Sequence, residues 1–495
     1  VAHLVGIDVG TTNIKIGVYR ENGDILEEKI CPTPFYPDKT GGMYNPDNIL
    51  NSITDAITGF NDTIKLGVAG LSVSSFAETM VGIDSAGAVI CGGLAWFDTR
   101  TEAQFRRMQS ILNPHEVYSL TGLMPHHIYS FYKLLWHREH RKSDFNRVHC
   151  WTSISGYILY ALSGKMSFDY SLASRTMFFN QHKRSWWEQM IDIVGIPKER
   201  MAEVVPSGTV LGRVKKSYAG STGLRPEVKI VTGGHDHICA ALATGVFRTG
   251  NMLISTGTTE SITMSLDQIP DVHIESMKRP FWWGHHTASG RLYALNGIYS
   301  GGYTVDWLLK TLNENYDVFN RCSMPQDSHI PFFIPYLRGG EYPESRGALL
   351  NLDGTMDREN LLQGTIAGLC FEMRFVWEDM VHALNMPVTR VVNAGGGSNN
   401  RYWMEMKATV LGHSIEVPED REGSAKGAAL LAGIGSGVYR DEDEAFSRTF
   451  RLDREYHPVA VLEEKLAGMY DVYAQLIDDL KALNMKIQHS LNSLK

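Results

Sequence analysis

Several things are missing from this sequence. It has no uninterrupted apolar run approaching the ~18 residues of a membrane span, so no membrane partner is expected. It has no basic excess: 47 Lys and Arg stand against 55 Asp and Glu, a formal charge of −8. No positive field is available to hold a phosphate backbone, which excludes nucleic acid as a main partner. Cysteine is scarce. Six residues, Cys31, Cys91, Cys150, Cys239, Cys322 and Cys370, lie scattered without a CxxC pair. That argues against a zinc finger or redox pair and fits buried thiols in a reducing cytoplasm. The first residues carry no basic segment or cleavage site, and Asp8 interrupts the first apolar run, so no signal peptide is expected. There is no GxxxxGKS/T, no complete GxGxxG and no GxSxG, so a P-loop, a Rossmann fingerprint and a nucleophile elbow are all unsupported.

What is present is a chain of 495 residues, 43% hydrophobic and 21% charged, with globular balance and enough length for two domains. Residues 4–9 read as a strand, Gly10-Thr11-Thr12 as a tight turn, and 14–19 as the returning strand. The pattern recurs halfway along: 251–255, then Thr256-Gly257-Thr258-Thr259, then 261–264. Two such hairpins suggest a duplicated architecture with its boundary near 246–250. Residues 66–74, 80–83, 228–232 and 391–394 read as further strands; 238–244, 401–411 and 427–433 read as helices. Leu462, Leu466, Met469, Tyr473, Leu476, Leu480 and Leu483 form a helical packing stripe. Alternating strands and helices in two halves make an α/β protein of two layered domains.

The first hairpin carries the most chemistry. A turn of Gly10, Thr11 and Thr12 exposes backbone N–H groups and hydroxyls that suit phosphate oxygens, although an ordinary hairpin turn reads the same way. Asp8 ends a buried strand and could hold Mg²⁺ through water; Lys15 could reach a terminal phosphate. Gly395-Gly396-Gly397-Ser398-Asn399-Asn400 sits between a strand and a helix, where a nucleotide can approach the backbone. Gly233-Gly234-His235-Asp236-His237 puts a carboxylate at a strand-to-helix turn, as a base or as a helix cap.

Taken in order, these segments resemble the FGGY family of carbohydrate kinases. The resemblance covers Gly6-Ile7-Asp8-Val9-Gly10-Thr11-Thr12, Ala95-Trp96-Phe97-Asp98-Thr99-Arg100, Asp169-Tyr170-Ser171-Leu172-Ala173-Ser174-Arg175-Thr176, and Ser255-Thr256-Gly257-Thr258-Thr259. It continues in Pro335-Tyr336-Leu337-Arg338-Gly339-Gly340-Glu341, in the glycine loop with its helix, and in Gly423-Ser424-Ala425-Lys426-Gly427-Ala428-Ala429. The resemblance implies two ribonuclease-H-like (actin-like ATPase) domains around a central cleft. Residues 1–247 would carry the sugar site and catalytic base, and 248–495 the nucleotide site. It implies an ATP- and Mg²⁺-dependent kinase acting on a small sugar or polyol, as a possible homodimer.

On that resemblance Asp236 is the catalytic base and also touches substrate and metal, and Asp8 is the second metal residue. Gly10, Thr11, Thr12, Lys15, Gly257 and Thr258 meet the phosphates, and Gly302, Gly396, Gly397 and Asn400 the adenosine. Glu78, Trp96 and Asp98 are the expected sugar contacts: two carboxylates and an aromatic face suit a neutral polyol. Ala77 stands where glycerol kinases have Arg, and the Met-His pair of xylulose kinases is absent, so the acceptor stays open, with a ketopentose such as xylulose leading. His235 and His237 depart from the family pattern; with no further ligands near in sequence, hydrogen bonding or packing is their expected role. An actin-like sensor, a catalytically silent sugar-binding protein, or a kinase for another ketose, alditol or non-sugar acceptor are the competing readings. Trp96, Asp98 and Arg100 count against the sensor, and Asp236 against loss of catalysis.

Overall fold

Apolar runs bounded by turns become the inner strands of two sheets in the computed structural model, which describes residues 2–298, 300–326, 329–340 and 344–492. Glu341 of the Pro-Tyr-Leu stretch lies outside the described residues. The first sheet uses β1 (His3–Val9), β2 (Asn13–Arg20), β3 (Ile25–Pro32), β4 (Val68–Ser75), β5 (Val210–Arg213) and β6 (Lys229–His235), in the order β5-β6-β4-β1-β2-β3. β1 turns back antiparallel on β2 and runs parallel to β4, which runs parallel to β6. β1 and β4 are buried along nearly their whole length, which is why they read as continuous apolar or small runs.

The second sheet repeats the device. It uses β7 (Asn251–Thr256), β8 (Glu260–Leu266), β9 (Trp282–His285), β10 (Leu292–Ile298), β11 (Arg390–Ala394), β12 (Ile415–Pro418) and β13 (Leu452–Tyr456), ordered β9-β10-β8-β7-β11-β12-β13. Again a hairpin, β7 on β8, is followed by a parallel partner, β11 on β7.

The helices that matter here are α1 (Ser130–His140), α2 (Ile154–Ser163), α3 (Asp236–Ala243), α4 (Gly302–Leu312), α5 (Arg358–Leu384), α6 (Arg401–Leu411), α7 (Gly423–Ser436) and α8 (Ala460–Asn492). A separate apolar core, including Met80, Leu134, Trp151, Phe178 and Met190, fills a lobe inserted in the first half. Among the described residues no helix is long and apolar enough to cross a membrane.

Helix α7 complicates a division of the chain at 247/248. It belongs to the second half by sequence but packs on β1, β4 and β6 of the first sheet and on α3. Its small residues make this possible. A Cβ on Gly6 would lie 1.9 Å from the Ala425 carbonyl oxygen, and one on Gly427 would lie 1.9 Å from that of Cys239. The chain therefore crosses between the halves at 244–250 and again on either side of α7.

Three local expectations shift. The strand expected at 66–74 begins at Val68, because Asp62–Leu66 is a short helix closed by Gly67. The strand expected at 228–232 continues through Gly233 and Gly234 to His235, with a bulge between Thr232 and Gly234. In the packing stripe of α8, Leu462, Leu466, Met469, Tyr473 and Leu480 are buried, Leu476 is half-buried beside the buried Ile477, and Leu483 is exposed.

Candidate active site

The carboxyl ends of β1, β4 and β6 converge, and register decides what meets there. Asp8 on β1 pairs with Ser74 on β4, and Ser74 pairs with Gly234 on β6. The next residues of the three strands are Val9, Ser75 and His235. In an α/β sheet the crevice outside the carboxyl ends of parallel strands is where ligands sit. Asp236 opens α3 at that edge, in a first turn whose N–H groups and dipole favour negative charge. Its Oδ1 accepts from the His237 N–H at 2.7 Å and lies 3.2 Å from His235 Nε2.

Two carboxylates face each other across this edge. Burial raises the pKa of Asp8, and the charge of Asp236 raises it further; Ser74 Oγ, donating to Asp8 Oδ1 at 2.8 Å, pulls the other way. Burial also raises Asp236, opposed by the His237 amide and helped by the charge of Glu78. Two buried carboxyls, each destabilised as an anion, are what a divalent cation relieves. The donor set, all oxygen, suits Mg²⁺. The pair therefore fits the ion that the resemblance implies.

Glu78 follows β4 in a left-handed conformation, φ 59°. Two basic side chains hold it there. Lys133 of α1, almost fully buried, donates to the Glu78 carbonyl oxygen at 2.8 Å, and Arg175 reaches Glu78 Oε1 with Nε and Nη2, each at 2.6 Å. Arg175 in turn lies over the rings of Tyr129 and, from the second half, Trp282. Neither Lys133 nor Arg175 was among the residues singled out for a role by sequence reasoning. Arg175 follows the Ala-Ser of a recognised segment, which was the available signal.

Trp96 is 38% exposed, its ring edge-on to Phe97. Asp98 differs from expectation. It is 0% exposed, and its two oxygens accept from the Gly42 N–H, the Arg100 N–H and the Arg100 guanidinium, at 2.8–2.9 Å. Burial raises its pKa and these donors outweigh that, leaving it below the ordinary value. A carboxylate so occupied braces its loop and offers no oxygen to a sugar.

Gly10, Thr11 and Thr12 form the open turn of the first hairpin, closed by Gly10 N–H donating to the Asn13 carbonyl at 3.0 Å. Lys15 is not free to reach outward: it pairs with Glu422, just before α7. In the second half, Gly257, Thr258, Gly302, Gly396, Gly397 and Asn400 all line one cavity of about 570 Å³, with Asp306, Tyr316 and Tyr402 among its other walls. Gly302 N–H donates to the Gly257 carbonyl at 2.8 Å, tying α4 to the turn. Beneath lies a group missed by sequence reasoning. Lys407 of α6, 0% exposed, reaches Glu260 Oε1 at 2.5 Å and Thr256 Oγ1 and Asn393 Oδ1 at 2.9 Å. It locks β7, β8, β11 and α6 into one cradle.

A glycine-threonine hairpin turn in each half, a glycine-lined cavity in the second and a pair of buried carboxylates at the edge of the first sheet fit a phosphoryl-transfer enzyme on the actin-like ATPase fold. The chain belongs to the FGGY family of carbohydrate kinases: the family's N-terminal domain matches residues 3–243 and its C-terminal domain residues 252–436. It is a kinase, and the kinases of this family use ATP. It is 25% identical to the xylulose kinase of Bacillus subtilis (strain 168), over 98% of this chain and 99% of that protein. It is also 25% identical to the gluconokinase of the same organism, over 88% of each. Among solved structures, ligand-bound xylulose kinase from Lactobacillus acidophilus superposes with a TM-score of 0.90 at 20% identity, covering 98% of this chain and all of that one.

Proposed function

We propose that the chain transfers the γ-phosphoryl group of ATP to a hydroxyl of a small neutral ketose or polyol, with a ketopentose such as xylulose as the leading acceptor. The observation that carries this reading is the placement of Asp236. Its carboxylate stands at the head of α3, beside Asp8 and within the field of Glu78 and Arg175.

In this reading Asp236 accepts the proton of the attacking hydroxyl. Its raised pKa makes it a stronger base than an exposed carboxylate, which suits proton abstraction near neutral pH. Asp8 and Asp236 would hold Mg²⁺, which when bound neutralises phosphate charge. The amides and hydroxyls of Gly10, Thr11, Thr12, Gly257 and Thr258 orient the phosphates. Gly302, Gly396, Gly397 and Asn400 receive the adenosine. The transition state is loose, so positioning and charge neutralisation do most of the work. Glu78 accepts from acceptor hydroxyls, and Trp96 offers a face to the carbon skeleton. Lys15 acts on the phosphates only if it leaves Glu422.

The acceptor reading draws support from the full-length similarity to xylulose kinase. Ala77-Glu78, in place of Met-His, keeps other ketoses and alditols in view. Six free thiols and an ATP requirement suit a reducing, cytoplasmic setting. The test is Mg²⁺-dependent ADP formation against D- and L-xylulose, D- and L-ribulose, erythrulose, xylitol, ribitol, arabinitol, erythritol, glycerol, gluconate and fuculose. Strong stimulation by one neutral compound supports the reading. Stimulation by gluconate alone, or by none, overturns the acceptor class.

A further inference from the structure

The catalytic turn holds a second kind of chemistry that a kinase of this design does not need. His235, Asp236 and His237 are consecutive, yet the β6-to-α3 junction folds them so that one ligand atom from each lies within 4.8 Å of the others. A strand would have sent alternate side chains to one face and Asp236 to the other. The helical first turn brings Asp236 and His237 round to the histidine that ends the strand. The contacts expected of the two histidines are present: His235 Nε2 lies 3.2 Å from Asp236 Oδ1, and His237 Nδ1 lies 3.2 Å from Ser261 Oγ.

We infer that His235, Asp236 and His237 form a binding site for a transition-metal dication of the zinc class, with two imidazole nitrogens and one carboxylate oxygen as ligands. Three observations carry this. First, the spacing is right: His235 Nε2 and Asp236 Oδ1 are 3.2 Å apart. Two ligands on a tetrahedral ion with bonds of ~2.0–2.1 Å lie roughly 3.3 Å apart. Second, His235 is only 4% exposed, and its Nδ1 has no hydrogen-bond partner among the described residues. If Nε2 carries the hydrogen, Nδ1 keeps an unused buried lone pair. If Nδ1 carries it, Nε2 and the carboxylate oxygen face each other lone pair to lone pair, and only a cation or proton between them relieves that. Third, His237 Nδ1 lies 3.2 Å from Ser261 Oγ, which fixes the ring from outside the cluster and leaves Nε2 open, the usual arrangement behind a metal-binding imidazole.

The ligand set separates this site from the Mg²⁺ position. Mg²⁺ prefers oxygen donors and keeps its waters, whereas imidazole suits Zn²⁺ and Co²⁺. Three protein ligands leave a fourth position for water or a phosphate oxygen. An ion there would engage the Asp236 carboxylate that serves as base, so zinc would inhibit phosphoryl transfer. That consequence rests on the kinase reading; the binding itself does not.

The test is spectroscopic. Full-length protein stripped with a chelator is titrated with Co²⁺, and the visible d–d band is followed. The expected result is one equivalent bound with the intense band of a low-coordinate site, displaced by Zn²⁺ and not by excess Mg²⁺. H237A and H235N should each weaken Co²⁺ binding by about a hundredfold or more, roughly 2.7 kcal/mol. Because His235 is buried, H235N is checked by thermal melting. If it fails to fold, H237A, at a partly exposed position, decides alone. Weak octahedral Co²⁺, or binding unchanged in the folded H237A protein, overturns the inference. In a parallel assay, Zn²⁺ should suppress ADP formation by the unmodified protein and a chelator should restore it. Spectroscopic binding without inhibition leaves the site standing and counts against Asp236 as base.

Discussion

Arg175 closes on Glu78 with two nitrogens, Nε and Nη2, each 2.6 Å from Oε1, in a setting where both side chains are more than nine-tenths buried. The pair joins two segments 97 residues apart and stacks on Trp282 of the other half. Removing one partner of such a pair strands the other charge. E78Q and R175M should each lose about 3–5 kcal/mol of stability. The double variant should recover part of that loss. Urea unfolding of the three proteins checks it, and additive losses would show that the two charges do not interact. The acceptor KM should also rise in E78Q, since the same carboxylate faces the site.

D236N should keep its fold and lose roughly 10²–10⁴-fold in kcat. In the unmodified enzyme the base must be ionised, so the rate should fall as pH drops through the pKa of Asp236. Burial, together with the charge of Glu78, has moved that value up from the ordinary carboxylate range. The acid limb of kcat/KM should therefore lie well above pH ~4, where an unperturbed carboxyl titrates. A limb at pH 4 would remove Asp236 from the base role.

Neighbouring glycines of the nucleotide loop should respond differently to enlargement. A Cβ on Gly396 meets nothing within 4 Å and points into open cavity, while one on Gly397 would lie 2.2 Å from Thr256 Cγ2. G396V should raise the KM for ATP by about tenfold or more, equivalent to about 1.4 kcal/mol of binding, with little change in melting temperature. G397V should lower the melting temperature. Equal melting behaviour in the two would contradict the assignment of this cavity.

K407M tests the cradle beneath that loop. It leaves Glu260 buried without its cation, next to Thr256 and Asn393. A loss of about 3–5 kcal/mol is expected, accompanied by weaker ATP binding because the turn at Gly257 rests on this group. Calorimetric titration with an ATP analogue, under conditions where the variant is folded, separates the two effects.

His286 marks the junction between the halves. The Ala288 N–H donates to its Nδ1 at 2.9 Å, so the ring hydrogen sits on Nε2, which donates to the Val246 carbonyl at 3.0 Å. Burial pushes its pKa down to about 3. The folded state therefore binds fewer protons than the unfolded state between about pH 6.5 and 3. Its contribution to stability is full above about pH 6.5 and falls by about 1.4 kcal/mol per pH unit below it. Asp169, pushed up to about 6, acts with the opposite sign in part of that range. The comparison that isolates His286 is the pH slope of the urea midpoint in H286Q against the unmodified protein. The variant should lose one proton's worth of acid sensitivity, and an unchanged slope would refute a buried ring held neutral in the folded state.

Much of the site was legible because its parts are local. The hairpins at Gly10 and Gly257, the loop at Gly396 and the helix from Arg401 to Leu411 are each set by a few adjacent residues whose turn chemistry and periodicity show in the sequence. What the sequence did not display had non-local causes. Asp98 looked like a free carboxylate because nothing in its neighbourhood announces Gly42, 56 residues away. Lys15 looked like a phosphate ligand because Glu422 is 407 residues distant.

The sequence by itself determined which segments turn, which run as buried strands, and which family they resemble, since backbone sterics and apolar patterning act over a few residues. Only the tertiary structure decided how the pieces meet. The register of β1, β4 and β6 aligns Asp8, Ser74 and Gly234. The close approach allowed by Gly6 and Gly427 lets α7 return to the first sheet. The left-handed turn at Glu78 is held by Lys133 and Arg175. Each depends on contacts across long loops, whose closure entropy must be overcome by burial and charge pairing elsewhere, and a linear pattern does not display that balance.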